Sequence, residues 1–227
     1  MPSVTFMLDY KKDAYNYWKT ANKPPSYGWD FKKFLNKDIK NEIENKSWEE
    51  IKEFLYNYLK NLYKNKELEM NTKVQQFSES WQQIEKEFFK RLEKVTKHKI
   101  CSERFTAYIT TATRCPYNFK EKWFMLRLFD SPNKIRQVAA HEILHFQFHE
   151  YYWDACFKEL GENKTDDLKE ALTVLLNEDF KGLLTVEDLG YPNHQELRAY
   201  ISKVWKETRD FDAVIDKCIK FYKFKIQ

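Results

Sequence analysis

His141, Glu142 and His145 lie in the segment "VAAHEILHF", residues 138–146, with the spacing His-Glu-x-x-His. Residues four apart on a helix share a face and stand about 6 Å apart along its axis, so both imidazoles can converge on one cation. Glu142, one position round, can reach a water held by that cation. Zinc suits imidazole nitrogen, and a catalytic zinc site takes three protein ligands and leaves one position for water. The ion lowers the pKa of that water to about 7, which lets a neighbouring carboxylate take its proton. The chemistry predicted is metal-assisted hydrolysis.

Three fixed residues in a five-residue window also arise by coincidence, as the way one buried helix happens to read. The surroundings favour the ion. From Val138 to Phe148 the only formal charge is Glu142, among Val138, Ile143, Leu144, Phe146 and Phe148. A helix apolar nearly all round is buried, and a buried carboxylate needs a partner. His149 continues the four-residue series but stands about 12 Å from His141 along the axis, too far to share its ion. A metzincin would need Gly and a third His where this chain has Phe148 and Tyr151, which excludes that class.

A third ligand is expected downstream, and "TDDLKEALTVLLNEDF" offers Glu170. No other charge intervenes before Asn177, and Leu168, Ala171, Leu172, Leu175 and Leu176 make a broad apolar face. Positions i+3 and i+4, Thr173 and Val174, supply no base to pair with Glu170. The competing role for Glu170 is to close a capping box with Asp167. Glu150, Glu159, Glu162 and Asp166 lie in more polar surroundings and are weaker candidates.

"HEILH" followed 25 residues later by the glutamate of "LKEALTVLLN" resembles the gluzincin zinc metallopeptidases, and most of all the minigluzincins. The resemblance covers about residues 100–205. It implies a zincin-like pairing of an active-site helix with a glutamate helix, and zinc held by His141, His145 and Glu170. Glu142 would then be general base and acid in the hydrolysis of a peptide or protein substrate. Larger gluzincins often carry an acid four residues after the ligand glutamate to orient a histidine. This chain has Val174 there, so Asn177 or Thr173 is expected to orient a ligand instead. Hydrolysis also needs a donor for the developing oxyanion. "DLGYPNHQELRAY" supplies Tyr191, His194 and Arg198, of which His194 is the first choice and Tyr191 the second. His194 could equally be a helix-start histidine in water.

The elements that must position these groups read as follows. Residues 3–9, "SVTFMLD", suit a short strand, and "ANKPPSYGWD" suits a loop. "SWEEIKEFLYNYLKNLYK" opens with a Ser47–Glu50 capping box and carries an apolar stripe through Trp48, Ile51, Leu55, Tyr58, Leu59 and Leu62. A long amphipathic helix is predicted over about 72–97. "ERFTAYITTATRCPYN" and "EKWFMLRLF" suit strands. Pro116 puts the first of these segments at a sheet edge, where an extended peptide could add as a further strand, and the second inside. Ser131 and Pro132 start the motif helix, which runs to about Trp153. Further helices are predicted to begin near Asp167, His194 and Phe211. The fold class is α+β, with a small mixed or antiparallel sheet and a helical N-terminal part. We expect a single catalytic domain over 1–227, with residues 30–98 mainly helical and 99–207 forming the metal-site core.

Bulk properties narrow the function. A chain of 227 residues with 42% hydrophobic content can bury a sizeable core. Basic residues number 39 against 35 acidic ones and are scattered among Glu, which argues against nucleic acid as a partner. No apolar run spans a bilayer and the start lacks a signal peptide, so no membrane association is expected and the location predicted is cytoplasmic. Cys101, Cys115, Cys156 and Cys218 lack metal or redox spacing and are read as reduced thiols. Cys115 reaching the metal as a blocking thiolate is a minor alternative. Only four glycines occur, which excludes a glycine-rich phosphate loop. Two other functions compete with the peptidase. One is a catalytically silent zinc-binding domain whose residues 30–98 recruit a partner. The other is a structural helical protein with a coincidental motif. In a packed C-terminal helix from Phe211, the last residues "FKIQ" could extend and occupy the cleft as a product-like inhibitor. Oligomeric state is not legible from the sequence.

Overall fold

A computed structural model describes residues 1–25 and 29–224. The chain is α+β, and it divides into two compact units. One comprises Val4–Trp81 and Arg104–Ile135, the other Met1–Ser3, Gln82–Glu103 and the chain from Arg136 on. The predicted helical part reaches into both units.

The first unit holds a four-stranded mixed sheet of β1 (Ser3–Leu8), β2 (Arg104–Thr110), β3 (Tyr117–Asn118) and β4 (Trp123–Arg127), in the order β1-β2-β4-β3. Strand β4 runs parallel to β2, with Ala107 opposite Phe124 and Ile109 opposite Leu126, and antiparallel to β3. Its central residues Phe124, Met125 and Leu126 are all buried, as a continuous apolar run requires of a strand covered on both faces. Pro116 immediately precedes β3 at the sheet edge, where a missing N–H costs no ladder bond.

Helices α1 (Tyr10–Asn22), α2 (Lys37–Ile43), α3 (Trp48–Asn65) and α4 (Glu67–Gln82) complete this unit. Helix α3 opens as expected, with Glu50 accepting from the backbone N–H of Ser47 at 2.7 Å. It buries Ile51, Leu55 and Leu59 in a cluster with Ala14, Tyr17 and Ile39. Helix α1 was not visible in the apolar pattern because its buried face is partly polar. Asp13 accepts from the Thr111 backbone N–H at 3.0 Å, the Thr111 hydroxyl at 2.7 Å and Tyr63 at 3.1 Å. Part of the loop read in "ANKPPSYGWD", residues 26–28, lies outside the described residues.

The second unit is helical among the described residues: α5 (Glu85–Thr96), most of α6 (Pro132–Tyr151), α7 (Trp153–Leu160), α8 (Glu162–Leu172), α9 (Val174–Asp179), α10 (Gln195–Thr208) and α11 (Phe211–Phe224). Three boundaries differ from expectation. The single helix predicted over 72–97 is two, α4 and α5, interrupted around Gln83–Ile84. Helix α8 begins at Glu162 and not near Asp167, because Gly161 at φ 75° turns the chain out of α7 at no steric cost. The glutamate helix stops at Thr173, whose hydroxyl donates back to the Glu170 carbonyl at 2.8 Å, and α9 starts one residue later.

Helix α10 packs on α8, α9 and α11, and α11 on α5 and α7. No described helix is long and apolar enough to cross a membrane. Of the C-terminal tail considered as an inhibitor, Phe224 is still helical and residues 225–227 lie outside the described residues.

Candidate metal centre

Helix α6 presents the motif. Ser131 caps it by accepting from the Lys134 N–H at 3.2 Å, and Pro132 takes the first helical position. Ala139, Ala140, Ile143, Phe146 and Phe148 are buried on both sides of the histidines. Burying a Phe contributes roughly 1.5–3 kcal/mol, so the helix is held rigidly where it carries its polar groups. Gln147 fixes its far end, donating to the Lys99 carbonyl at 2.8 Å and accepting from the Cys101 N–H at 3.1 Å.

His141 and His145 stand one turn apart and meet edge to face, with ring centroids 4.3 Å from each other and planes at 71°. Glu170 of α8 faces both. Its Oε2 lies 3.4 Å from His141 Nε2 and its Oε1 3.3 Å from His145 Nε2. One ligand atom from each of the three residues falls within 4.8 Å of the others, so this group could hold a metal ion. The two nitrogen–oxygen separations exceed those of charge-assisted hydrogen bonds, which are roughly 2.7–2.9 Å. They leave room for a cation between each imidazole and the carboxylate, with bonds of about 2.0–2.1 Å to either side. The residues present therefore fit a cation. The His141 side chain is 19% exposed, while those of His145 and Glu170 are 1% and 9%, so the cluster opens to solvent on the His141 side.

Glu142 is 6% exposed, and its Oε2 has no hydrogen-bond partner among the described residues. Burial pushes its carboxyl up to about 7, with His141 pulling the other way. Burial likewise brings His145 down to about 3, so this imidazole is neutral. For His141 burial favours the neutral ring, but the Asp188 and Glu170 carboxylates outweigh it and raise it to about 10. Burial alone would raise Glu170, yet the two imidazoles and Lys169 hold it well below the usual carboxylate range.

The sequence reading missed Asp188. This residue accepts from His141 Nδ1 at 2.7 Å, which directs Nε2 towards Glu170 and the cation position. Asp188 is itself fixed on all sides. Gln137 donates to its Oδ2 at 2.6 Å, the Thr173 hydroxyl lies 2.9 Å from its Oδ1, and Arg198 Nη2 lies 3.2 Å from Oδ1. Asn177 brackets the Asp188 backbone, donating to its carbonyl at 2.8 Å and accepting from its N–H at 2.9 Å. Thr173 and Asn177 thus act on the orienting group and not, as expected, on a ligand directly. Against burial, His141 and Arg198 hold the Asp188 carboxyl at about 2. The signal available in the sequence was a pair of adjacent acids, Glu187 and Asp188, in "TVEDLGYP" ahead of Gly190. At Gly190, φ is 62° and a Cβ would come within 2.7 Å of Arg198 Nη1.

Two expectations about Glu170 change. Asp167 and Glu170 both lie inside α8, so they form no capping box. Glu170 also has a cationic neighbour at i−1, since buried Lys169 places Nζ 3.2 Å from its Oε1 and 2.6 Å from Asp166. Neither Asp166, Glu150, Glu159 nor Glu162 joins the ligand cluster, and no cysteine does.

The proposed oxyanion donors part company. His194 is buried on a short turn, Pro192–His194, and its Nε2 meets Asp167 Oδ1 at 2.9 Å. Arg198 is committed to Asp188 and to Thr173, to which Nη1 donates at 2.8 Å. Tyr191 packs edge-on against His194, 5.7 Å between centroids. Burial raises its hydroxyl pKa first, and then the charges of Glu170 and Glu142, which places it in the field of the cluster. No family description, no curated protein and no solved structure matches this chain.

Proposed function

We propose that this chain is a zinc-dependent peptidase, with zinc held by His141, His145 and Glu170 and Glu142 as general base. The observation that carries the reading is the three-ligand cluster with a buried carboxylate beside it whose Oε2 has no partner among the described residues. Zinc is the ion that two imidazoles and one carboxylate suit best. The gluzincin resemblance of "HEILH" and the later glutamate supplies peptide bonds as the substrate class.

When bound, zinc would polarise the scissile carbonyl and acidify a water. The chain's own residues do the rest. Asp188 accepts a hydrogen bond from the Nδ1–H of His141, which keeps the proton on Nδ1 and leaves Nε2 as the ligand atom. Glu142, held near neutrality by burial, can accept a proton at working pH and return it to the leaving amine. Tyr191 replaces His194 as our choice for the oxyanion donor, because His194 is engaged with Asp167.

One observation favours a second reading. Lys169 and a protonated His141 would partly neutralise Glu170 without any metal, leaving a structural ionic network or a catalytically silent binding domain. Glu142→Gln separates the readings. Under the peptidase reading it retains zinc and loses about 100-fold or more of the hydrolysis of a mixed peptide pool. Wild-type cleavage rates in the variant, or no cleavage by a zinc-loaded wild type, contradict it.

A further inference from the structure

The sheet unit contains a cavity of about 880 Å³ bounded by α1, the start of α3 and the β3–β4 edge. It contains none of the metal-centre residues, and its lining is unlike them. Five cationic side chains, Lys11, Lys12, Lys19, Lys23 and Arg114, border it against a single carboxylate, Glu121. Lys12 takes that carboxylate, at 3.7 Å. Lys11, Lys19 and Arg114 have no acid within ion-pair distance among the described residues. Arg114 is half-buried, and burial depresses its guanidinium pKa. A partly desolvated cation without a counter-ion is costly unless an anion arrives.

The spacing narrows the ligand. Lys11, Tyr15 and Lys19 follow at four-residue intervals on one face of α1, so the two lysines are rooted about 12 Å apart along the axis. That is too far for one small anion, and it equals the reach of about four residues of extended chain. Between them lies an apolar floor of Tyr15, Trp18 and Trp48, with Tyr15 41% exposed. These rings pack on one another, Tyr15 at 5.3 Å from Trp18 and 5.1 Å from Trp48, and Lys19 Nζ sits 5.1 Å over Trp18. With Lys19 Nζ over it, the Trp18 face is a poor platform for stacking a base, which disfavours single-stranded nucleic acid.

We infer that this groove binds an extended acidic peptide segment, whose carboxylates meet Lys11, Lys19 and Arg114 and whose apolar side chains lie on Tyr15, Trp18 and Trp48. The inference does not rest on the peptidase reading. Steering by the cations makes the binding salt-sensitive.

The test is a titration of the full-length protein, followed by tryptophan fluorescence and calorimetry, in chelator so that no cleavage intervenes. The probes are an acetylated, amidated peptide alternating Glu and Leu, its Lys counterpart, an oligothymidylate and inorganic phosphate. The Glu peptide should bind with a fluorescence change, weakening with added salt, while the Lys peptide does not. The exposed double variant Lys11→Glu/Lys19→Glu should weaken it about tenfold or more with the circular dichroism spectrum unchanged. Arg114→Gln should also weaken it. Failure of the Glu peptide to bind, equal binding by the folded double variant, or tighter binding of the oligothymidylate or of phosphate would overturn the proposal.

Discussion

At the residue scale the centre turns on how His141 is held. His141, Glu142 and His145 were legible because a helix imposes a four-residue repeat that sequence spacing reports directly. Asp188 was not, since it reaches His141 across 47 positions with no periodicity to announce it. Its removal tests the geometry. Asp188→Asn should keep the fold and weaken zinc binding about 10–100-fold, as measured by competition with a chromophoric chelator. The same pair makes a pH prediction for the metal-free protein. The folded-state pKa of His141 is raised above 6.5 to about 10, so its contribution is complete below 6.5 and disappears as pH rises through 10. The Asp188 carboxyl, lowered from 3.8 to about 2, loses its contribution only as pH falls through that range. Between about pH 6 and pH 10 the urea midpoint of chelator-treated wild type should therefore fall further than that of Asp188→Asn. Parallel declines would mean that the pair does not couple protonation to folding.

At the element scale the reading succeeded where local signals were strong and failed where tertiary context decided. Ser131–Pro132 and Ser47–Glu50 are local capping chemistry, and the helices they start were found where expected. The β3 edge position was legible from Pro116 for the same reason. Helix α1 escaped notice because Asp13, Asn16 and Thr20 occupy buried positions that only their distant partners make tolerable. The start of α8 was misplaced because "GENKTDD" is polar throughout, and only the positive φ of Gly161 marks the turn. Gly190 is the second such point and gives a sharper test. Its φ of 62° disfavours any other residue, and an added methyl would strike the Arg198 guanidinium that braces Asp188. Gly190→Ala should destabilise the protein by about 1–2 kcal/mol or more, read from chemical denaturation. It should also weaken metal binding through Asp188. A variant with wild-type stability would show that Arg198 does not need its present path.

Across the whole molecule, residues far apart in sequence are gathered into each unit, which is why no linker showed in the composition. All four cysteines are free thiols, with Cys156 and Cys218 buried and Cys101 and Cys115 partly exposed. Burial pushes the thiols of Cys156 and Cys218 up to about 12, so they should be inert in the folded protein. Titration with a chromogenic disulfide should show Cys101 and Cys115 reacting first, and the other two only after unfolding in guanidinium. Rapid reaction of all four in native buffer would contradict the packing of α7 against α11. The metal centre makes the strongest claim, because its ligands come from α6 and α8 together. Zinc content of the purified, zinc-equilibrated protein by elemental analysis, wild type beside His145→Ala, tests that claim most directly. The account predicts about one zinc per chain in the wild type and little in the variant. A wild type without zinc, or a variant that keeps it, would contradict the assignment of His141, His145 and Glu170 as its ligands.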